Sequence, residues 1–130
     1  MNQKIKILCL GNEFLREDSF AKELVDSIKN QLKNYEITNI KDSFQLIEII
    51  NKLKDREAVI VDVVKNLKDI HELEITELQS SKILTAHDLD ASFFLQLLKE
   101  HVSNLKIIGL PMTGEIKILK GRLLKKIKAI

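Results

Sequence analysis

The chain has 130 residues, which at roughly 100–200 residues per domain is one domain spanning 1–130. Apolar residues make up 45% and charged residues 31%, a soluble globular composition that excludes a disordered chain. The net charge is +2, so nothing marks the whole chain as a nucleic-acid binder, and a single cysteine excludes both an internal disulfide and an all-cysteine metal site.

The N-terminus runs from Met1-Asn2-Gln3-Lys4 into a short apolar stretch broken by Lys6. It has no hydrophobic signal region, and no apolar run approaches the roughly 18 residues of a membrane span. Both features predict a cytoplasmic protein without a membrane anchor. Lys4–Leu10 reads as a strand, ended by Gly11-Asn12. Ser19–Leu32 reads as a helix, with Phe20, Ala21, Leu24, Val25, Ile28 and Leu32 on one face. Tyr35–Ile40 is a second strand. Asp42 or Ser43 can cap a second helix, with Gln45 placed as in a capping box and Phe44, Ile47, Ile50 and Leu53 facing inward.

Glu57–Val63 is a third strand. Its core, Ala58-Val59-Ile60-Val61, is apolar on both faces, the mark of a central parallel strand covered by helices. Ile70–Ile75 fits a short strand, and Lys82–Thr85 another that runs into His87. Asp90–Val102 reads as a helix with Phe94, Leu97, Leu98 and Val102 inward, and Leu105–Leu110 as a strand ended by Pro111. In the tail, Glu115–Lys120 alternates like a strand, Gly121 breaks it, and a short basic helix follows. From Lys117 to Lys128 there are six basic residues and no acid. That run reads as a solvated helix face, with an acidic partner or nucleic acid as the alternative. Alternating strands and helices predict an α/β fold, a three-layer sandwich with a mostly parallel central sheet flanked by helices.

In such sheets ligands bind beyond the carboxyl ends of the strands, where strand order reverses. The rule selects Gly11, Asn12, Glu13, Arg16, Glu17 and Asp18 after the first strand, and Asp62 at the end of the third. It also selects His87 and Asp88, then Pro111 and Thr113. Asp18, Asp62 and His87 together suit a divalent transition metal, since imidazole with carboxylate oxygen fits Zn, Ni or Fe. Each has a plainer alternative: Asp18 as a helix N-cap, Asp62 as a loop-bonding carboxylate, His87 as a surface histidine. His71 and His101 read as structural or solvated, and Cys9 as an inert core residue. The dinucleotide fingerprint fails because Gly11 is followed by Asn12-Glu13-Phe14-Leu15-Arg16. No P-loop, no G-x-S-x-G and no H-E-x-x-H occurs.

Four segments in order resemble the [NiFe]-hydrogenase maturation proteases. Ile7–Ala21 (ILCLGNEFLREDSFA) is similar to the family's opening motif of strand, Gly-Asn, loop, acidic pair and helix. Val59-Ile60-Val61-Asp62 resembles its third strand closed by aspartate. Leu84-Thr85-Ala86-His87-Asp88-Leu89 resembles its histidine before a Leu-rich helix, and Ile107–Pro111 its late strand and turn. The chain thus looks like a short, divergent member. The resemblance implies a phosphorylase/hydrolase-like fold of the maturation-protease type. It implies a cytoplasmic, aspartic-type endopeptidase, acting as a monomer, that trims the C-terminal extension of a hydrogenase large-subunit precursor. Nickel, supplied by the precursor, would be recognised by Asp18, Asp62 and His87. Asp18 and Asp62 would be the acids near the scissile bond, and Gly11, Asn12 and Glu17 would belong to the substrate loop. The alternative is a non-catalytic accessory protein that binds nickel or the precursor. Where the family carries glycine after the acidic pair and again two residues on, this chain has Ser19 and Ala21, which implies a loop without positive-φ freedom.

Overall fold

The computed structural model describes residues 4–10, 12–53, 57–73, 100 and 105–129. Five strands form one sheet: β1 (Ile5–Leu10), β2 (Tyr35–Ile40), β3 (Ala58–Val63), β4 (His71–Leu73) and β5 (Leu105–Leu110). Their spatial order is β2-β1-β3-β5-β4. The first four in that order are parallel, and β4 lies antiparallel along β5. The described helices are α1 (Phe20–Asp26), α2 (Ser43–Leu53) and α3 (Ile116–Lys128), with short 3-10 turns at Asn12–Leu15 and Lys29–Gln31.

The alternation of side chains along the strands sorts the core into two layers. Ile7, Cys9, Val59, Val61, Val63, Ile108 and Leu110 pack with Ala21, Leu24 and Val25 of α1 and Leu119, Leu123 and Ile127 of α3. Leu8, Leu10, Ala58, Ile60, Val64 and Ile107 pack with Leu46 and Leu53 of α2. All six residues of β3 are buried, as its unbroken apolar run predicts for a central strand with cover on both faces. This is the expected three-layer α/β sandwich.

Several local expectations are corrected. The first helix stops at Asp26 rather than running to Leu32. Ser27 donates its hydroxyl to the Leu24 carbonyl at 2.6 Å, and the chain tightens into the 3-10 turn beyond it. Ile28 and Leu32 are nonetheless buried, so the apolar spacing reported burial and not helix length. The second helix is capped as read: the Gln45 amide donates to Asp42 Oδ1 at 2.8 Å, and the Lys41 amide donates to Gln45 Oε1 at 2.6 Å. Among its described side chains Leu46 and Leu53 are buried and Ile49 is partly buried, while Phe44 is exposed; the side chains of Ile47 and Ile50 lie outside the described residues. Leu46, Ile49 and Leu53 stand at i, i+3 and i+7, and Phe44 in the first turn turns outward.

The tail is one helix rather than a strand, a break and a helix. Leu119, Leu123 and Ile127 recur every fourth residue and bury on the α1 side. Gly121 lies in mid-helix, where an added Cβ would meet nothing within 4 Å. Glycine costs a helix about 1 kcal/mol, less than burial of three large side chains returns. Three basic residues, Lys125, Lys126 and Lys128, occupy the last turn, where the helix dipole favours cations. The expected strand Lys82–Thr85 lies outside the described residues, as does the expected helix Asp90–Val102 but for Glu100. Among the described residues no helix is long and apolar enough to cross a membrane.

Candidate active site

β2 joins one side of β1 and β3 the other, so the direction of sheet growth reverses between β1 and β3. A crevice forms at such a point beyond the carboxyl ends of the strands. Asp62, the fifth residue of β3, stands at that end. Its register partners are Leu10 of β1 and Gly109 of β5. It is 1% exposed and is the buried charged side chain among the described residues.

By alternation Asp62 shares a face with Ala58, Ile60 and Val64, an otherwise apolar column. Placing an ionised carboxylate in such a column costs several kcal/mol of desolvation before any compensating interaction. Apolar packing therefore does not account for an acid here, and its place at the switch point makes it the candidate site residue of the sheet. Gly109 matters to the same column. A Cβ there would come within 3.0 Å of Leu67 Cδ1 and 3.1 Å of Val64 Cγ2. The missing side chain lets the segment after β3 fold over β5, a closure also held by the Val64 amide donating to the Leu110 carbonyl at 2.9 Å.

The loop after β1 is organised by two anchors. Phe14, in the 3-10 turn, is 2% exposed and belongs to the α1-side core. Ser19 caps α1: its Oγ accepts the Lys22 amide at 3.1 Å, with φ −78° and ψ 145°. Asp18 is therefore not the helix cap, and the plain reading of that acid falls away. The same geometry answers the question raised by Ser19 and Ala21. Ser19 is ordinary extended backbone and Ala21 is helical and buried, so neither position uses a conformation reserved for glycine. Serine adds a capping oxygen that glycine lacks.

Asp18 sits in the turn between these anchors, exposed, with Arg16 Nε 3.5 Å from its Oδ1. A pair so open to water holds the carboxylate only weakly. Glu17 beside it is also exposed. The fold thus brings Asp18 and Asp62 to the same edge of the sheet, one in a solvent-facing loop and one buried at a strand end. Gly11, His87 and Asp88 lie outside the described residues, as does His101, and Asn12 is described only as the first residue of the 3-10 turn. Among the described residues no three His, Cys, Asp or Glu side chains are grouped to hold an ion. Two carboxylates suit a divalent cation through oxygen, and an added imidazole moves the preference toward borderline metals such as nickel or zinc.

The remaining candidates separate cleanly. Cys9 is fully buried in β1, and burial pushes its thiol up to about 12, so it is inert packing. His71 is exposed on the edge strand β4. Pro111 is buried and Thr113 exposed beyond β5. Two features of the loop were not evident from residue pattern: Arg16 as the partner of Asp18, and Ser19 rather than Asp18 as the cap. A serine directly before the first apolar residue of a helix was the available signal for the second.

No family model matches the chain, and no curated protein matches it. Three solved structures do. The hydrogenase 3 maturation protease matches with a TM-score of 0.68 and 18% identity, over 95% of this chain and 88% of that one. An endopeptidase, HycI from Escherichia coli, matches with a TM-score of 0.65 and 16% identity, over 98% and 90%. An uncharacterized protein from Wolinella succinogenes matches with a TM-score of 0.63 and 17% identity, over 97% and 95%. The chain, along nearly all its length, has the fold of these three structures, the hydrogenase 3 maturation protease and the HycI endopeptidase among them.

Proposed function

We propose that the protein is an endopeptidase that removes the C-terminal extension of a [NiFe]-hydrogenase large-subunit precursor after nickel insertion, in the cytoplasm. The observation that carries this reading is Asp62, a carboxylate buried at the carboxyl end of the central strand and at the switch point of the sheet. The fold shared with the hydrogenase 3 maturation protease and the HycI endopeptidase supports it. The order of the four sequence segments supports it independently.

In this reading the nickel belongs to the substrate. Asp18, Asp62 and His87 complete its coordination and so set the scissile peptide beside it. Gly11, Asn12 and Glu17 belong to the loop that meets the incoming chain. An exposed, weakly held Asp18 can move onto an arriving ion, while Asp62 is fixed by the strand that carries it. Two anions and one imidazole are a partial ligand set, which fits an ion that arrives with ligands of its own.

The test is incubation with nickel-loaded and nickel-free precursor, followed by intact-mass measurement. The expected result is loss of the extension from the nickel-loaded form alone, unaffected by prior treatment of the enzyme with a chelator. Cleavage of nickel-free precursor, with tight binding of one ion to the isolated protein, would point instead to a metalloprotease with a resident ion. Stable binding of the loaded precursor without cleavage would support the accessory-protein alternative.

A further inference from the structure

Six of the chain's 21 basic residues, and none of its 19 acidic ones, fall between Lys117 and Lys128, so the remainder of the chain is net acidic. All six stand exposed on α3. Arg122 is engaged, with Nη1 2.7 Å from Asp69 Oδ2. Among the described residues Lys117, Lys120, Lys125 and Lys128 make no ion pair. The helix dipole accounts for Lys125 and Lys128, which lie in the last turn. It works against Lys117, which lies in the first turn with no acid beside it there.

Lys117, Gly121, Lys125 and Lys128 stand at i, i+4, i+8 and i+11, which places them on one stripe of the helix, about 16 Å long. Gly121 is the gap in it. Glycine weakens a helix, and a Cβ added here would meet nothing within 4 Å, so no contact inside the chain calls for its small size. Bare backbone between two lysines permits a close approach from outside.

We propose that this stripe docks an acidic, extended segment of another polypeptide, whose backbone passes over Gly121 while its carboxylates meet Lys117, Lys125 and Lys128. Alternate side chains of an extended chain recur about every 6.7 Å, close to the roughly 6 Å that separates helix residues four apart. Two other anions fit less well. A duplex nucleic acid reaches beyond the stripe onto a chain that is otherwise net acidic, and Arg122, whose fork suits phosphate, is committed to Asp69. An anionic membrane gains no apolar insertion, because Leu119, Leu123 and Ile127 of α3 are buried in the core. The surface is separate from the proposed peptidase site, since α3 covers the sheet face opposite the column that holds Asp62.

The experiment measures binding of a ten-residue peptide with glutamate at alternate positions and serine between them, by calorimetry in 50 mM salt. Wild type is expected to bind one peptide. The triple variant Lys117→Gln, Lys125→Gln, Lys128→Gln should bind it about tenfold more weakly. Gly121→Leu leaves every charge in place and favours the helix, so it should weaken binding about fivefold without lowering the melting temperature. Lys41→Gln with Lys52→Gln, around α2 on the other side of the sheet, should change affinity less than twofold. Absence of wild-type binding, or unchanged affinity in the triple variant, would overturn the docking surface. Unchanged affinity in Gly121→Leu would overturn the close approach at the glycine. A loss in the α2-side variant as large as in the α3 triple would reduce the effect to net charge and overturn the site. Tighter binding of a 20-base-pair duplex or of phosphatidylserine vesicles than of the peptide would overturn the choice of a polypeptide partner.

Discussion

Leu10 and Asp62 are register partners across β1 and β3, the strand pair at which the sheet changes its direction of growth. Each is 1% exposed, yet one is aliphatic and the other an acid. A carboxylate beside a leucine in a buried column is a poor choice for packing and a good one for presenting charge at the end of a strand. Asp62→Asn keeps the shape and removes the charge. Its melting temperature should stay near that of wild type. Processing of nickel-loaded precursor should fall by at least the ~100-fold that even outer-shell substitutions reach at metal sites. Retained processing in a folded Asp62→Asn protein would remove this acid from the chemistry.

Ser19 tests the loop beside it. Its hydroxyl satisfies the Lys22 amide, one of the donors left open at the start of α1. Ser19→Ala should cost about 1 kcal/mol in urea unfolding, and Ser19→Gly only a few tenths. The glycine variant should bring no gain in processing, because φ at this position is already negative. A large gain on restoring glycine would mean that the working loop adopts a different backbone from this one.

How far residue pattern reached depended on whether one force or two acted on a segment. β3 was legible because burial on both faces leaves an unbroken apolar run, and no other element of that length competes for it. The cap of α2 was legible because Asp42 and Gln45 stand at the spacing that lets the Asp42 carboxylate accept the Gln45 amide while the Gln45 side chain reaches back to the Lys41 amide. The tail was misread because Ile116, Ile118 and the flanking lysines alternate like a strand, while the fourfold spacing of Leu119, Leu123 and Ile127 emerges only across Gly121. In α2 the surplus of apolar residues hid the inward face, since Phe44 is as apolar as Leu46 and only packing separates them. Of the site, Asp62 was marked by its strand. Asp18 was marked by its loop, but the capping role expected as its plainer alternative belongs to its neighbour Ser19.

Gly121 offers a direct check on the tail. In a continuous helix with open space around the Cβ, Gly121→Ala should stabilise the protein by about 1 kcal/mol. If the chain broke at this residue, as the strand reading expects, alanine would bring no such gain. Urea denaturation distinguishes the two, with helical content by circular dichroism as the second measurement.

Among the described residues two carboxylates, Asp26 and Asp69, are held low and so contribute to the response to acid. Lys29, at 2.7 Å, and then Lys22, at 2.9 Å, hold Asp26 below the ordinary carboxylate value of 3.8. Arg122, at 2.7 Å, and then the Ile70 amide, at 2.7 Å, do the same for Asp69 and tie α3 to the segment before β4. Both acids are lowered in the folded state. The unfolded chain therefore takes up protons first as pH falls, and the stability these pairs add is present above pH 3.8 and lost below it. Both sites are open to water, so the effect is modest and salt weakens it. The double variant Asp26→Asn, Asp69→Asn should melt below wild type at pH 6, and the gap should narrow through pH 3 and shrink in 0.5 M salt. A gap that stayed constant with pH would assign the loss to packing around α1 and α3 rather than to charge.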